Sequence, residues 1–147
     1  VRVATLHIIA TAVIALGACT DVRDFRGTWR GPRVGTSPAV TIGLSTDAQA
    51  TVDISSIDTH GVAGTISVDG LVANYGFASL QGAEADVLSG TTFAGSPLRV
   101  YMAFVATTDG NGDAFAVLAI YEDRHVEVRL LRAGASPVYA IFTLTES

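Results

Sequence analysis

Apolar and polar side chains alternate along much of this chain with a period of two. Val40, Ile42 and Leu44 alternate with Thr41, Gly43 and Ser45; Ala50, Val52 and Ile54 with Thr51, Asp53 and Ser55; Val62, Ile66 and Val68 with Ala63, Thr65 and Ser67. Successive strand side chains point to opposite faces, so these runs predict strands with one buried face and one wet face. Turn chemistry bounds each run: Ser45-Thr46-Asp47, Asp58-Thr59-His60-Gly61 and Asp69-Gly70, the last a strong hairpin signal. A strand over 71–80 follows, carrying Asn74, Tyr75 and Phe77.

Strands are also expected over 98–107, 114–121, 126–132 and 138–145, with Asp109-Gly110-Asn111-Gly112-Asp113 and Glu122-Asp123-Arg124 as turns between them. Here the alternation weakens. Tyr101, Val105, Leu118, Ile120 and Ile141 put apolar groups on the second face, which predicts strands covered on both sides. Earlier in the chain, Phe25, Gly27, Trp29 and Gly31 share one face of a first strand and Arg26, Thr28 and Arg30 the other, until Pro32 ends it or marks an edge. Residues 82–88 are the one stretch compatible with a helical turn, too short to stand alone, and 90–97 reads as loop. Nine or ten short strands with turns between them define an all-β domain. Nearest-neighbour hairpins favour a single antiparallel up-and-down β-barrel, which removes exposed edges; a β-sandwich is the alternative.

The first eighteen residues break this pattern. Arg2 precedes an apolar run over 3–18 that ends in small residues, the layout of an export signal. At about sixteen residues the run falls short of the roughly 20 that span a bilayer. Leu16-Gly17-Ala18-Cys19 at its end resembles the lipobox of bacterial lipoproteins. That resemblance implies cleavage between Ala18 and Cys19, a diacylglycerol thioether on the Cys19 thiol, and palmitate-type acylation of the new amino group. Two or three acyl chains exceed the marginal anchoring that one chain provides. The expected organisation is a cleaved signal over 1–18, a lipidated N-terminus and short polar tether over 19–24, and a barrel domain over 25–147. Thr20 in place of Asp after the cysteine resembles the pattern that permits sorting to an outer membrane.

Charge and composition narrow the partners. The chain of 147 residues carries a formal charge of -5. Arg2 is the one charged residue of the first eighteen, so the mature part is more acidic still. Such a balance argues against nucleic acid, whose binding neutralises phosphates with Lys and Arg, and against a broad basic patch on anionic lipid. All nine basic residues are Arg, a bias without a physical account. Cys19 is the sole cysteine, so no disulfide forms within the chain.

Gly27-Thr28-Trp29 resembles the Gly-X-Trp signature of lipocalins and related small barrels. The resemblance implies that Trp29 closes one end of the barrel and that an Arg from a late strand packs across its ring; Arg129 and Arg132 are the candidates. The remaining chemistry is thin. The loop 109–113 presents oxygen side chains at alternate positions, but Ala114 and Ile120 stand where a calcium loop needs Gly and Glu. Glu122, Asp123 and His125 cluster at a hairpin tip, and Asp58 with His60 at another; both read as ordinary charged turns. With Cys19 carrying lipid, His60 and His125 are too few for a His/Cys metal site. There is neither a Gly-X-Ser-X-Gly elbow nor a Gly-rich loop leading into a helix. No catalytic residue and no cofactor is expected. The sequence therefore leads to a non-enzymatic, lipid-anchored envelope protein that binds a small apolar ligand or lipid inside its barrel. The alternative is a structural or interaction protein with a solid core, whose protein partner binds on the outer face of the strands over 98–131.

Overall fold

A computed structural model of the chain describes residues 20–34, 44–80 and 95–147. The apolar leader, Ala18 and Cys19 lie outside these residues, as do 40–43 of one expected strand and the helical turn expected over 82–88.

The described residues form one 3-10 turn, η1 (Val22–Phe25), and eight strands: β1 (Gly27–Pro32), β2 (Gln49–Ile57), β3 (Gly61–Val68), β4 (Val72–Leu80), β5 (Arg99–Val105), β6 (Ala114–Ile120), β7 (Val126–Arg132) and β8 (Val138–Glu146). All neighbours are antiparallel, in the order β4-β3-β2-β1-β8-β7-β6-β5. The fold is thus an up-and-down, nearly closed eight-stranded barrel. Eight of the expected nine or ten strands fall within the described residues. No helix among them is long and apolar enough to cross a membrane.

The first strand pairs with the last, so the joint between β1 and β8 is a true ladder: Trp29 faces Glu146 and Arg30 faces Thr145. The incomplete joint lies between β4 and β5. Side chains and turns bridge it: the Ser79 hydroxyl donates to the Met102 carbonyl and accepts from its N–H at 3.0 Å, and Thr108 N–H donates to the Leu71 carbonyl at 2.8 Å. The Tyr101 hydroxyl adds a bond of 2.6 Å to the Asp58 carbonyl.

Inward positions merge into one continuous buried cluster that includes Trp29, Val52, Ile54, Phe77, Leu118 and Phe142. An eight-stranded barrel encloses a space that such side chains can fill. Tyr101, Val105, Leu118 and Ile120, expected on a second face, belong to this interior. The apolar groups on the outer side of β6 to β8 are Phe115, Val117, Ala119, Leu131, Tyr139 and Ile141; Val117, Ala119 and Ile141 are buried, as are Glu127 and Arg129 beside them, and the other three are half-buried. Two-sided burial of these strands was therefore legible, but apart from Ile141 it falls on the alternate set of residues.

Gly31 marks the closest backbone approach in the closing joint. A Cβ built there would sit 1.9 Å from the Thr143 carbonyl oxygen and 2.8 Å from its carbonyl carbon. Backbone atoms of a paired strand cannot swing aside as a flexible side chain can. Gly31→Ala is expected to lower the stability to urea by about 1–3 kcal/mol, the usual range for overpacking. An unchanged midpoint would show that β1 and β8 slide apart without cost.

Candidate functional site

The barrel has two ends of different character. The near end gathers η1, the turns after β2 and β6, and the end of β8; the far end gathers the turns after β3, β5 and β7.

The near end is plugged by the chain's own entry. Asp21 caps η1 by accepting the Arg23 N–H at 3.0 Å, and Val22 and Phe25 are buried. Part of the stretch expected as a short polar tether, Val22, is packed into the fold. Gly27, with φ +130, makes the kink from η1 into β1, a conformation that L side chains rarely adopt. The kink brings the Phe25 ring onto the Trp29 indole, with centroids 5.1 Å apart, and lets Trp29 Nε1 donate to the Phe25 carbonyl at 2.8 Å. Both side chains are fully buried.

The cation over this aromatic pair is Arg124, whose guanidinium carbon lies 5.7 Å from the Phe25 centroid and whose Nη2 pairs with Glu146 at 2.7 Å. The two arginines expected in that place are elsewhere. Arg129 faces away from the core and its Nε meets Glu127 Oε1 at 2.5 Å. Arg132 lies at the far end, clamping two loops. Its Nη1 and Nη2 reach the two Asp109 oxygens at 2.8 and 2.6 Å, and its Nε reaches the Ser136 carbonyl at 2.9 Å. Sequence reading passed over Arg124 because a charged residue at a hairpin tip has the composition of any turn. Its φ of +62, invisible in sequence, turns the side chain back over the barrel end.

Arg132 also disposes of the loop 109–113 as a cation site, since the Asp109 carboxylate is taken by a guanidinium. That contact, followed by the Asn111 N–H, holds the Asp109 carboxyl well below the usual carboxylate range. Of the other titratable candidates, His125 Nδ1 meets Asp123 Oδ1 at 2.5 Å while its ring stacks on Tyr121 at 4.2 Å. Burial pushes the Tyr121 hydroxyl up to about 12, and Glu127 adds to the shift. Asp123 is 72% exposed, and no third acid, His or Cys joins the pair among the described residues. His60 and Asp58 stand 3.8 Å apart in solvent; the Asp58 carboxylate instead accepts the N–H groups of His60 and Gly61, which lower its pKa. A carboxylate lies beside the imidazole at both turns, and at the second the Thr59 hydroxyl meets His60 Nδ1 at 3.2 Å in an exposed loop.

The class of molecule defined here is a small up-and-down barrel with its chain entry plugged into one end. No protein-family model matches the chain, no curated protein matches it, and no solved structure matches it. What it does must be read from its own geometry.

Two substitutions test the ends separately. Trp29→Phe leaves the buried Phe25 carbonyl without its donor and is expected to cost roughly 1–3 kcal/mol in urea unfolding; a neutral result would mean that water reaches that carbonyl. At the far end, Asp109 has a folded pKa below its unfolded one, so it stabilises the fold above about pH 4 and loses that contribution as the pH falls further. Asp109→Asn is therefore expected to be less stable than the parent at pH 7, with the gap closing below about pH 4. A gap independent of pH would show that the clamp acts by shape and not by charge.

Proposed function

We propose that this protein is a non-enzymatic lipoprotein of the bacterial cell envelope, held at the outer membrane by acyl chains on Cys19, and that its barrel is a solid body presented to a protein partner. The carrying observation is the interior. Phe25, Trp29, Tyr101, Leu130, Phe142 and Leu144 are fully buried within one continuous cluster. A ligand-binding barrel needs a cavity of roughly 300 Å³ or more with an open mouth. Two concavities lined by described residues are open grooves at strand ends, bordered by Leu44 and Asp69 in one case and by Arg23 and His60 in the other. This favours the interaction protein over the container of a small apolar ligand.

The outer surface supports the same reading. Phe104 on β5 is 71% exposed and packs edge-on against Phe115 of β6 at 5.2 Å. This aromatic pair lies on strands of the stretch 98–131, and exposed aromatic groups are favoured anchors of protein interfaces. The lipid anchor is supported by the lipobox; Thr20, the next residue in the chain, reaches the plugged end, where its Oγ1 donates to the Glu122 carbonyl at 3.4 Å.

The test is mass analysis of the protein from its native membrane. The expected mature chain begins at Cys19 and carries two or three acyl chains, and Cys19→Ala carries none and leaves the membrane fraction. Organic extraction of the same preparation is expected to release no apolar small molecule in stoichiometric amount. A free thiol at Cys19 would overturn the anchor, and a one-to-one extracted ligand would overturn the solid barrel.

A further inference from the structure

All eight arginines after Cys19 lie in described residues, and six have hydrogen-bond acceptors. Arg30 bonds Gln49, Arg33 the carbonyls of Leu44 and Ser45, Arg99 that of Leu98, Arg124 Glu146, Arg129 Glu127 and Arg132 Asp109. Arg23 and Arg26 are the two whose guanidinium groups meet neither a carboxylate nor a carbonyl among the described residues. Both line the same groove at the near end, a concavity of about 570 Å³ that Ser56, His60 and Ser79 also border. We propose that this groove, through Arg23 and Arg26 with His60 and Ser56 beside them, binds the phosphate of a lipid headgroup.

The chemistry fits an oxyanion. Guanidinium groups offer planar pairs of N–H donors that match phosphate oxygens, and a hydroxyl and an imidazole can supply further donors. The groove has one acid, Asp58, whose Oδ1 is turned into its own loop by the N–H groups of His60 and Gly61 at 2.7 and 3.0 Å, and whose charge Arg23 attracts without a direct contact. Asp21 accepts the backbone N–H of Arg23, and neither Asp21 nor Asp24 lines the groove.

Position selects the lipid as the source. The inference rests here on the anchor proposed above. Arg23 is four residues from Cys19, at most ~14 Å of extended chain. The headgroup layer of a bilayer is roughly 5–8 Å deep on each side of the hydrocarbon. With acyl chains inserted at Cys19, the tether is short enough for Arg23 to reach neighbouring phosphates, and the shared groove places Arg26 beside it.

The full chain in nonionic detergent, with arginine and backbone nitrogens labelled, is titrated with inorganic phosphate and, separately, with short-chain phosphatidylglycerol. Saturable shifts are expected at Arg23 Nε, Arg26 Nε and Gly61 N–H, with the Trp29 indole signal still as a reporter of the fold. Arg23→Ala with Arg26→Ala is expected to weaken binding at least tenfold, and Arg23→Lys with Arg26→Lys to retain part of it. Stronger binding of the lipid assigns the headgroup; equal binding keeps the phosphate site but assigns free phosphate. Absent shifts, or the same titration in the double alanine variant, overturn the site. Both ligands are soluble, so a failed titration with Cys19 acylated sinks the groove alone, and a working one with a free Cys19 thiol sinks the anchor alone.

Discussion

The hydrogen bond from the Trp29 indole to the Phe25 carbonyl governs how the chain enters its own barrel. It is buried, so water cannot replace either partner, and breaking it would strand a carbonyl in an apolar interior. The bond fixes Phe25 against Trp29 and so fixes the kink at Gly27 that joins η1 to β1. Once β1 is set, Trp29 and Arg30 are in register with Glu146 and Thr145 of β8, and the sheet closes at that joint. Arg124 connects the same points from outside, covering Phe25 while pairing with Glu146. Entry plug, first strand and last strand thus form one mechanical unit.

Closing the barrel through its chain termini leaves the weaker joint in the middle of the sequence. Between β4 and β5 a serine hydroxyl does the work of a ladder, taking both an N–H and a carbonyl of Met102. Thr108 and Leu71 pin the far end of that joint, and Tyr101 with Asp58 ties β5 to the turn after β2. An edge held by side chains has fewer backbone bonds to lose than a full ladder, so opening of the barrel would begin there. Phe104 is displayed on β5, which is itself one side of this joint, so a partner seated on it would also brace the weakest line of the sheet.

Periodicity made most of the architecture legible. The runs around Val52 and Ile66 alternate because one face must be dry and the other wet, and the hairpin signal at Asp69-Gly70 set the connection between β3 and β4. Face assignment failed where both faces are buried. In β6, Phe115 to Ile120 is apolar at every position, so period two carries no phase there. The closing arginine was misplaced for a related reason. A cation–π contact depends on where a turn aims its side chain, and nothing in Glu122-Asp123-Arg124 reveals a left-handed backbone at Arg124. Trp29 and Gly27 were readable because their residue types are unusual; Arg124 was hidden because its type is ordinary. The groove at Arg23 and Arg26 was masked by charge alternation, since Asp21 and Asp24 make residues 21–26 neutral as a string.

The contrast between the ends gives the acidic body a direction. At the far end arginines serve the fold: Arg132 clamps the turns after β5 and β7, and Arg33 holds the carbonyls of Leu44 and Ser45. At the near end Arg23 and Arg26 are left to solvent beside the chain entry. A net charge of -5 repels the domain as a whole from an anionic surface. If acyl chains at Cys19 bring Arg23 and Arg26 within a Debye length of that surface, roughly 8 Å, the two guanidiniums would reverse the sign locally. An anchor at Cys19 alone would hold the barrel near lipid without fixing its tilt, because acyl chains constrain one point. Repulsion over most of the body combined with attraction at the plugged end would supply the missing constraint, standing the barrel on that end with β5 and Phe104 turned sideways toward a partner.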